Sequence, residues 1–360
     1  MTLREPRRFD AHFNSSGRCA AFCIVPPYLL EHLLSKAKTA EHRRKLLDSI
    51  NLSSHVRGAR TVALARKQTH GTAEISVYDA HHRETTSGAT LLWSETKGGA
   101  VPTDPDVKNV VEFTRATRDF YKEVCKRNSV DGKGYNLRSY VHFGDGWDNA
   151  QWDGTQMDYG DGDGTEFNSF TSSVDVIGHE LTHGVTQYTS DLDYQGQSGA
   201  LNESFSDVMG TLIKQYHLKQ NVAKADWLIG QGLFKNGEAL RSMKKPGTGY
   251  DGDPQPADMS HYKKTNQDSG GVHLNSGIPN RAFYESCHAL DPQKNAWETI
   301  GPVWYQTFIH LPSNADFQTA ANATFTRAKL LGAAQAQAVQ AGWAAVKIDV
   351  KVTTEAIAVT

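Results

Sequence analysis

Five residues, His179-Glu180-Leu181-Thr182-His183, constrain this chain more tightly than anything else in its 360 residues. Positions i and i+4 of a helix share one face, so two imidazoles at that spacing converge on a single point. This is the H-E-x-x-H pattern of a metal-binding helix, with Glu180 placed beside the metal as a base and not as a ligand. Taken alone, the five letters have many chance matches. The bland alternative is an exposed helix with two unrelated histidines.

A second segment decides between these readings. Asn202-Glu203-Ser204-Phe205-Ser206-Asp207 lies on the next helical stretch, with nineteen residues between His183 and Glu203. Glu203 can supply a third ligand, completing a set of two histidines and one carboxylate with an open fourth position for zinc. Asp207, four residues on and on the same face, can accept the outer N–H of a ligand histidine and fix its tautomer. By itself the second segment reads as a helix with a solvated acid. With the first in hand, it points to one Zn2+ per chain.

With these residues in place, the chain resembles the thermolysin family of neutral metallopeptidases, and most closely its protealysin-like members with a short propeptide. The likeness runs from about Leu91 to the C-terminus. It is carried by His179–His183, Gly199–Asp207, Leu240-Arg241-Ser242-Met243 and Gly270-Gly271-Val272-His273-Leu274-Asn275-Ser276-Gly277. The leader Phe22-Cys23-Ile24-Val25-Pro26-Pro27-Tyr28-Leu29 is similar to the prosegment of protealysin-type precursors. The metzincin pattern fails, because Thr186 and Thr189 stand where it needs Gly and His. No G-x-M-E-N segment of the gluzincin aminopeptidases is present.

The resemblance implies an α+β fold of two lobes, β-rich then α-helical, with the zinc helix in the cleft between them. Its divisions are a propeptide over 1–60, cut somewhere within about 50–70, an N-terminal peptidase lobe over 61–186 and a helical lobe over 187–360. It also implies a proteolytic role for particular residues. Glu180 takes a proton from water and passes it to the leaving amine. Tyr194 and His273 donate hydrogen bonds to the oxyanion, with Asp268 holding the His273 ring. Without the resemblance, Tyr194 reads as a packing tyrosine and His273 as a loop histidine. Asn149, Ala150 and Trp152 match an edge strand that binds extended peptide, and Arg241 holds a carbonyl just past the cut bond. Gln151 departs from the aromatic usual there, which puts the shape of the unprimed side in question. Phe167, Phe170, Val176 and Leu240 match the lining of an apolar primed-side pocket, so cleavage before bulky hydrophobic residues is expected.

Calcium is where the chain departs most. Asp175 and Asp226 match two positions of an interlobe calcium cluster, but Lys214 and Gln231 replace other ligands. Since affinity follows ligand charge count, Ca2+ binding there is expected to be weak or absent. The run Asp158–Gly164 lacks the bidentate glutamate of an EF-hand and reads as a turn.

The net charge of -2 points to neither nucleic acid nor membrane as partner. It conceals an asymmetry: residues 1–60 carry eleven Lys/Arg against five Asp/Glu, a basic leader on an acidic body. The expected partners are protein and peptide substrates and the chain's own propeptide, and a monomer is expected. Phe22–Leu30 should pack on the body and block the cleft, with a zinc-ligating Cys23 thiolate as the less favoured means. Ser53–Lys67 reads as a flexible, cleavable linker. No conventional signal peptide is legible, which leaves a cytoplasmic precursor or non-classical export open beside the secretion typical of the family. Four cysteines do not make a disulfide scaffold. A catalytically idle homologue serving as a binding module is the competing reading. The intact Glu180 and His273 argue against it, and no acidic anchor for a free amino terminus favours an aminopeptidase.

Overall fold

In a computed structural model the described residues are 22–63 and 71–351. The leader opens with strand β1 (Phe22–Cys23) and two helices, α1 (Pro27–Lys36) and α2 (Ala40–Ala63). The stretch read as a linker is therefore helical as far as Ala63, and its remainder lies outside the described residues. His42, Leu46, Ser49, Leu52, Ser53 and Val56 are the buried positions of α2 among its described side chains, recurring every three or four residues along one face.

The first lobe of the body is a sheet. Its strands are β2 (Ile75–Asp79), β3 (Thr90–Ser94), β4 (Leu137–Val141), β5 (Ala150–Trp152) and β6 (Met157–Tyr159), in the order β1-β5-β6-β4-β2-β3. β2, β4 and β6 run parallel, while β3 and β5 are antiparallel to their neighbours. Helix α3 (Pro105–Glu123) starts at Asp104, whose side chain accepts from the backbone N–H groups of Asp106 and Val107, a cap worth about 1 kcal/mol.

Helix α4 (Val174–Gln187) is buried along nearly its whole length, and α5 (Gly196–Leu218) crosses it. Gly178 and Gly210 make that crossing close. A methyl group on Gly210 would lie 2.6 Å from the Asp175 carbonyl oxygen, and one on Gly178 3.3 Å from the Gly210 Cα. The remaining helices of the second lobe are α6 (Asp268–Asn275), α7 (Gly277–Leu290), α8 (Gly301–Phe308), α9 (Phe317–Leu331) and α10 (Ala333–Ala345). A two-stranded ribbon of β7 (Leu228–Ile229) and β8 (Arg241–Ser242) accompanies them. Trp304 and Trp343 stack at 6.1 Å inside this lobe, and Trp343 Nε1 donates to Thr324 Oγ1. The architecture is α+β, a sheet-bearing lobe followed by a helical one. Among the described residues no helix is long and apolar enough to cross a membrane.

Candidate metal centre

On α4, the one-turn spacing brings His179 Nε2 and His183 Nε2 to 3.0 Å from each other. From α5, Glu203 Oε2 lies 3.4 Å from His179 Nε2 and Glu203 Oε1 lies 3.5 Å from His183 Nε2. Ligand atoms at about 2.0–2.1 Å from a tetrahedral ion stand roughly 3.3 Å apart, so these separations match. All three side chains are buried, and Glu203 Oε2 accepts no hydrogen bond.

The outer nitrogens are all engaged. Asp207 Oδ1 meets His179 Nδ1 at 2.8 Å, and Asn202 Oδ1 meets His183 Nδ1 at 3.0 Å with Ser206 Oγ at 3.1 Å. Both rings are thereby turned with Nε2 toward Glu203. Burial alone would lower the His179 pKa, but Asp207 and Glu203 outweigh it and push it up to about 9. Positive charge is thus favoured at this point of the interior. The donor set, its spacing, its fixed tautomers and its negative surroundings all fit zinc.

Asp207 anchors more than one partner. Arg241 Nε and Nη2 reach its two oxygens at 2.8 Å each, and Asn280 Nδ2 reaches Oδ2 at 2.8 Å. Burial would raise the Asp207 pKa, yet Arg241 and His179 hold it down to about 2. Asn280, Asn202 and Ser206 were not predicted as site residues. Asn202 and Ser206 sit within the N-E-x-x-S-D segment that located Glu203, whereas nothing around Asn280 marks it.

Glu180 is fully buried, and its Oε2 accepts the backbone N–H of Trp152 at 2.8 Å, tying the α4 carboxylate to strand β5. His273 follows a tight turn in which Asp268, Ser269, Gly270 and Gly271 all have positive φ. Asp268 Oδ1 meets His273 Nδ1 at 2.6 Å and its Oδ2 accepts the His273 backbone N–H at 2.9 Å. His273 Nε2 lies 3.2 Å from Tyr194 Oη, which donates to Glu203 Oε1.

Strand β1 of the leader crosses this constellation. It pairs antiparallel with β5, Phe22 opposite Trp152 and Cys23 opposite Gln151. The Cys23 carbonyl oxygen stands 3.1 Å from His273 Nε2. The Ile24 N–H donates to Ala150 O at 3.2 Å, and Arg241 Nη1 donates to Ile24 O at 3.1 Å. Asn149 takes both backbone groups of Val25, its Oδ1 accepting at 2.9 Å and its Nδ2 donating at 3.1 Å. Cys23 Sγ is directed at Gln151 Oε1, 3.9 Å away, and the buried group there whose ligand atoms lie within 4.8 Å of one another is His179, Glu180 and His183. Cys19 lies outside the described residues.

Phe167, Phe170, Val176 and Leu240, the residues matched to the primed-side pocket, are buried in the hydrophobic core that also holds Ile24, and the Phe167 ring meets Phe170 at 5.4 Å and Phe234 at 4.6 Å. Trp152 pairs with Phe22 of β1, its ring packs on Tyr135 and its Nε1 donates to Gln187 at 3.0 Å.

At the position matched to calcium, Lys214 Nζ sits 3.1 Å from Asp175 Oδ2 and 2.8 Å from Asp226 Oδ2, while Gln231 is exposed. An ammonium group occupies the space between the two aspartates. Burial would lower its pKa, but the aspartates raise it, so Lys214 stays charged.

Two family models match the chain in sequence. One, the thermolysin metallopeptidase catalytic domain, covers residues 44–187, and the other, the thermolysin metallopeptidase alpha-helical domain, covers 190–348. An extracellular metalloprotease of Pectobacterium carotovorum is 41% identical over 91% of this chain and 96% of that protein. Protease PrtS of Photorhabdus is 41% identical over 79% of this chain and 80% of that one. Among solved structures, the precursor of protealysin from Serratia proteamaculans superposes with a TM-score of 0.82 at 42% identity, covering 91% of this chain and all of that one.

Proposed function

This chain belongs to the thermolysin family of metallopeptidases and is a zinc-dependent metalloendopeptidase; from that premise, we propose that it is held latent by its own leader and cuts protein chains before bulky apolar residues. One observation carries the reading. The leader lies along β5 as an extended peptide substrate would, with its backbone groups on Ala150, Asn149, Arg241 and His273.

In that register Ile24 takes the position just past the bond to be cut, and Cys23 the position before it. Ile24 is fully buried, in the hydrophobic core that also holds Phe167, Phe170, Val176 and Leu240, which supports a preference for Leu, Ile, Phe or Val there. Selection by such a pocket is modest, about 1–3 kcal/mol per methylene-scale change. While β1 is paired, no other extended segment has access to the β5 edge.

His179, His183 and Glu203 would hold zinc, which when bound would supply a Lewis acid for the substrate carbonyl and the water. Glu180 removes the proton from the attacking water and returns it to the leaving amine. The hydrogen bond from Trp152 keeps this base fixed relative to the strand that presents the substrate. Asp268 accepts from Nδ1–H, and although burial lowers the His273 pKa, Glu203 and Asp268 raise it, so the imidazolium carries a second proton on Nε2, aimed where the Cys23 carbonyl lies in the latent form. His273 and Tyr194 then donate to the oxyanion, a contribution that grows as charge develops. Arg241 and Asn149 keep the chain from sliding.

Digestion of an unfolded protein by the processed enzyme, with and without a zinc chelator, tests this. Chelation should stop cleavage, and the new N-termini should be apolar. Glu180→Gln should keep its zinc and lose about 10²–10⁴-fold in rate. Near wild-type turnover in that variant would remove Glu180 from its role.

A further inference from the structure

Strands β2, β4 and β6 lie side by side and parallel, so their carboxyl ends finish along one margin of the sheet. Loops leaving such ends are where open parallel sheets hold ligands. His82 follows β2 by three residues, His142 follows β4 by one and Asp161 follows β6 by two. We propose that His82, His142 and Asp161 form a second metal site, taking a divalent transition ion such as zinc, with Asp104 orienting His142 from behind.

The side chains already converge. Asp161 Oδ1 is 2.9 Å from His142 Nδ1, and Asp161 Oδ2 is 3.3 Å from His82 Nδ1. One ligand atom from each of the three lies within 4.8 Å of the others. Ligands around a tetrahedral zinc need separations of roughly 3.3 Å, so a small closing movement of His82 completes the set. That ring has room to move, being 58% exposed on a turn, while His142 is 17% exposed.

Two further features favour binding over a chance meeting of charges. Asp104 Oδ2 lies 3.2 Å from His142 Nε2, the nitrogen away from Asp161. A carboxylate on the outer nitrogen of a ligand imidazole fixes the tautomer and raises its basicity. The two histidine segments are also stapled to each other, since the His82 backbone N–H donates to His142 O at 2.8 Å. Asp104, Asp106 and His142 also offer ligand atoms within 4.8 Å of one another, but Asp104 is committed as the α3 cap and Asp106 accepts from Ser169 and Thr171. Two imidazoles select zinc, cobalt, nickel or copper over calcium and magnesium, which take oxygen ligands.

The test counts zinc. The full chain carrying Glu180→Gln, to prevent self-digestion, is loaded with one equivalent of zinc and titrated with zinc chloride by calorimetry, with metal content read by mass spectrometry. A second equivalent is expected, and His82→Ala or Asp161→Asn should each abolish it, or weaken it at least tenfold, while the first remains bound. Circular dichroism melts verify that these variants are folded. The proposal is overturned if the parent stops at one zinc, which would leave only an ion-pair knot around His142. Retention of the second zinc at unchanged affinity in both folded variants overturns it equally, by placing that ion elsewhere.

Discussion

The seating of Ile24 gives a measurable handle on latency. Ile24→Ala keeps every backbone hydrogen bond of the leader strand and removes only the side chain, which is 0% exposed. Truncating a buried isoleucine to alanine costs about 2–4 kcal/mol, the spread reflecting how far the site relaxes. If that loss falls on leader docking, then at about 1.4 kcal/mol per tenfold the open fraction rises roughly 30- to 700-fold. Basal hydrolysis by the uncut precursor should climb by the same factor. The assay is the initial rate on an internally quenched peptide, with intact mass confirmed across the time window so that processing does not contribute. Leu330→Ala, at a side chain 65% exposed on α9, is the matched control and should change nothing. A basal rate within twofold of the parent, in a correctly folded Ile24→Ala precursor, would refute the assignment of Ile24 to the primed-side pocket.

Three other perturbations follow from the same geometry. Removing the ammonium by Lys214→Ala leaves Asp175 and Asp226 uncompensated and should destabilise the fold by about 3–5 kcal/mol. Added calcium should recover part of the lost melting temperature in that variant and leave the parent unmoved. Gln151 spends its Nε2 on Asp158 at 2.9 Å and turns its Oε1 toward the Cys23 thiol. Substrates with a small hydroxyl or thiol residue before the cut should therefore be favoured, and Gln151→Phe should shift a peptide-library profile toward apolar residues there by about tenfold. Asp207→Asn keeps the shape of the side chain but loses the charge that Arg241 and His179 face, and zinc should leave about 10- to 100-fold more readily in a chelator competition. Unchanged retention would show that Asp207 serves Arg241 alone.

The centre was legible because its chemistry imposes spacing. His179 and His183 must be one turn apart, and Glu203 must follow on a helix that crosses the first, which Gly178 and Gly210 permit. Roles that depend on distant segments, those of Tyr194, His273 and Arg241, came only through the family likeness, since contacts between remote residues leave no local period. Helix α2 was cut short in the sequence reading for a specific reason. Two of its buried positions are serines, Ser49 and Ser53, and these disguise the apolar stripe. They serve as hydrogen-bond partners, Ser49 to the Asp148 backbone at 3.0 Å and Ser53 to Trp147 Nε1 at 3.0 Å. Strand β6 was read as part of a turn, because three residues with a buried aspartate at the centre show neither alternation nor an apolar run. The bulk of Asn280, turned into the interior to meet Asp207, had no signal at all.

Strand β5 is only three residues long, and once β1 departs it offers unsatisfied backbone groups to solvent. What can satisfy them is a polypeptide whose own amides are disengaged. Residues inside a helix or an interior strand have already spent theirs, so a well-folded protein presents little to bind beyond its exposed loops and termini. Susceptibility should then follow how often a target frays, with the rate of digestion tracking its local opening equilibrium when opening and closing outpace cleavage. On the proposed reading, such an enzyme would discriminate by thermodynamic stability, cutting misfolded or heat-stressed chains before native ones.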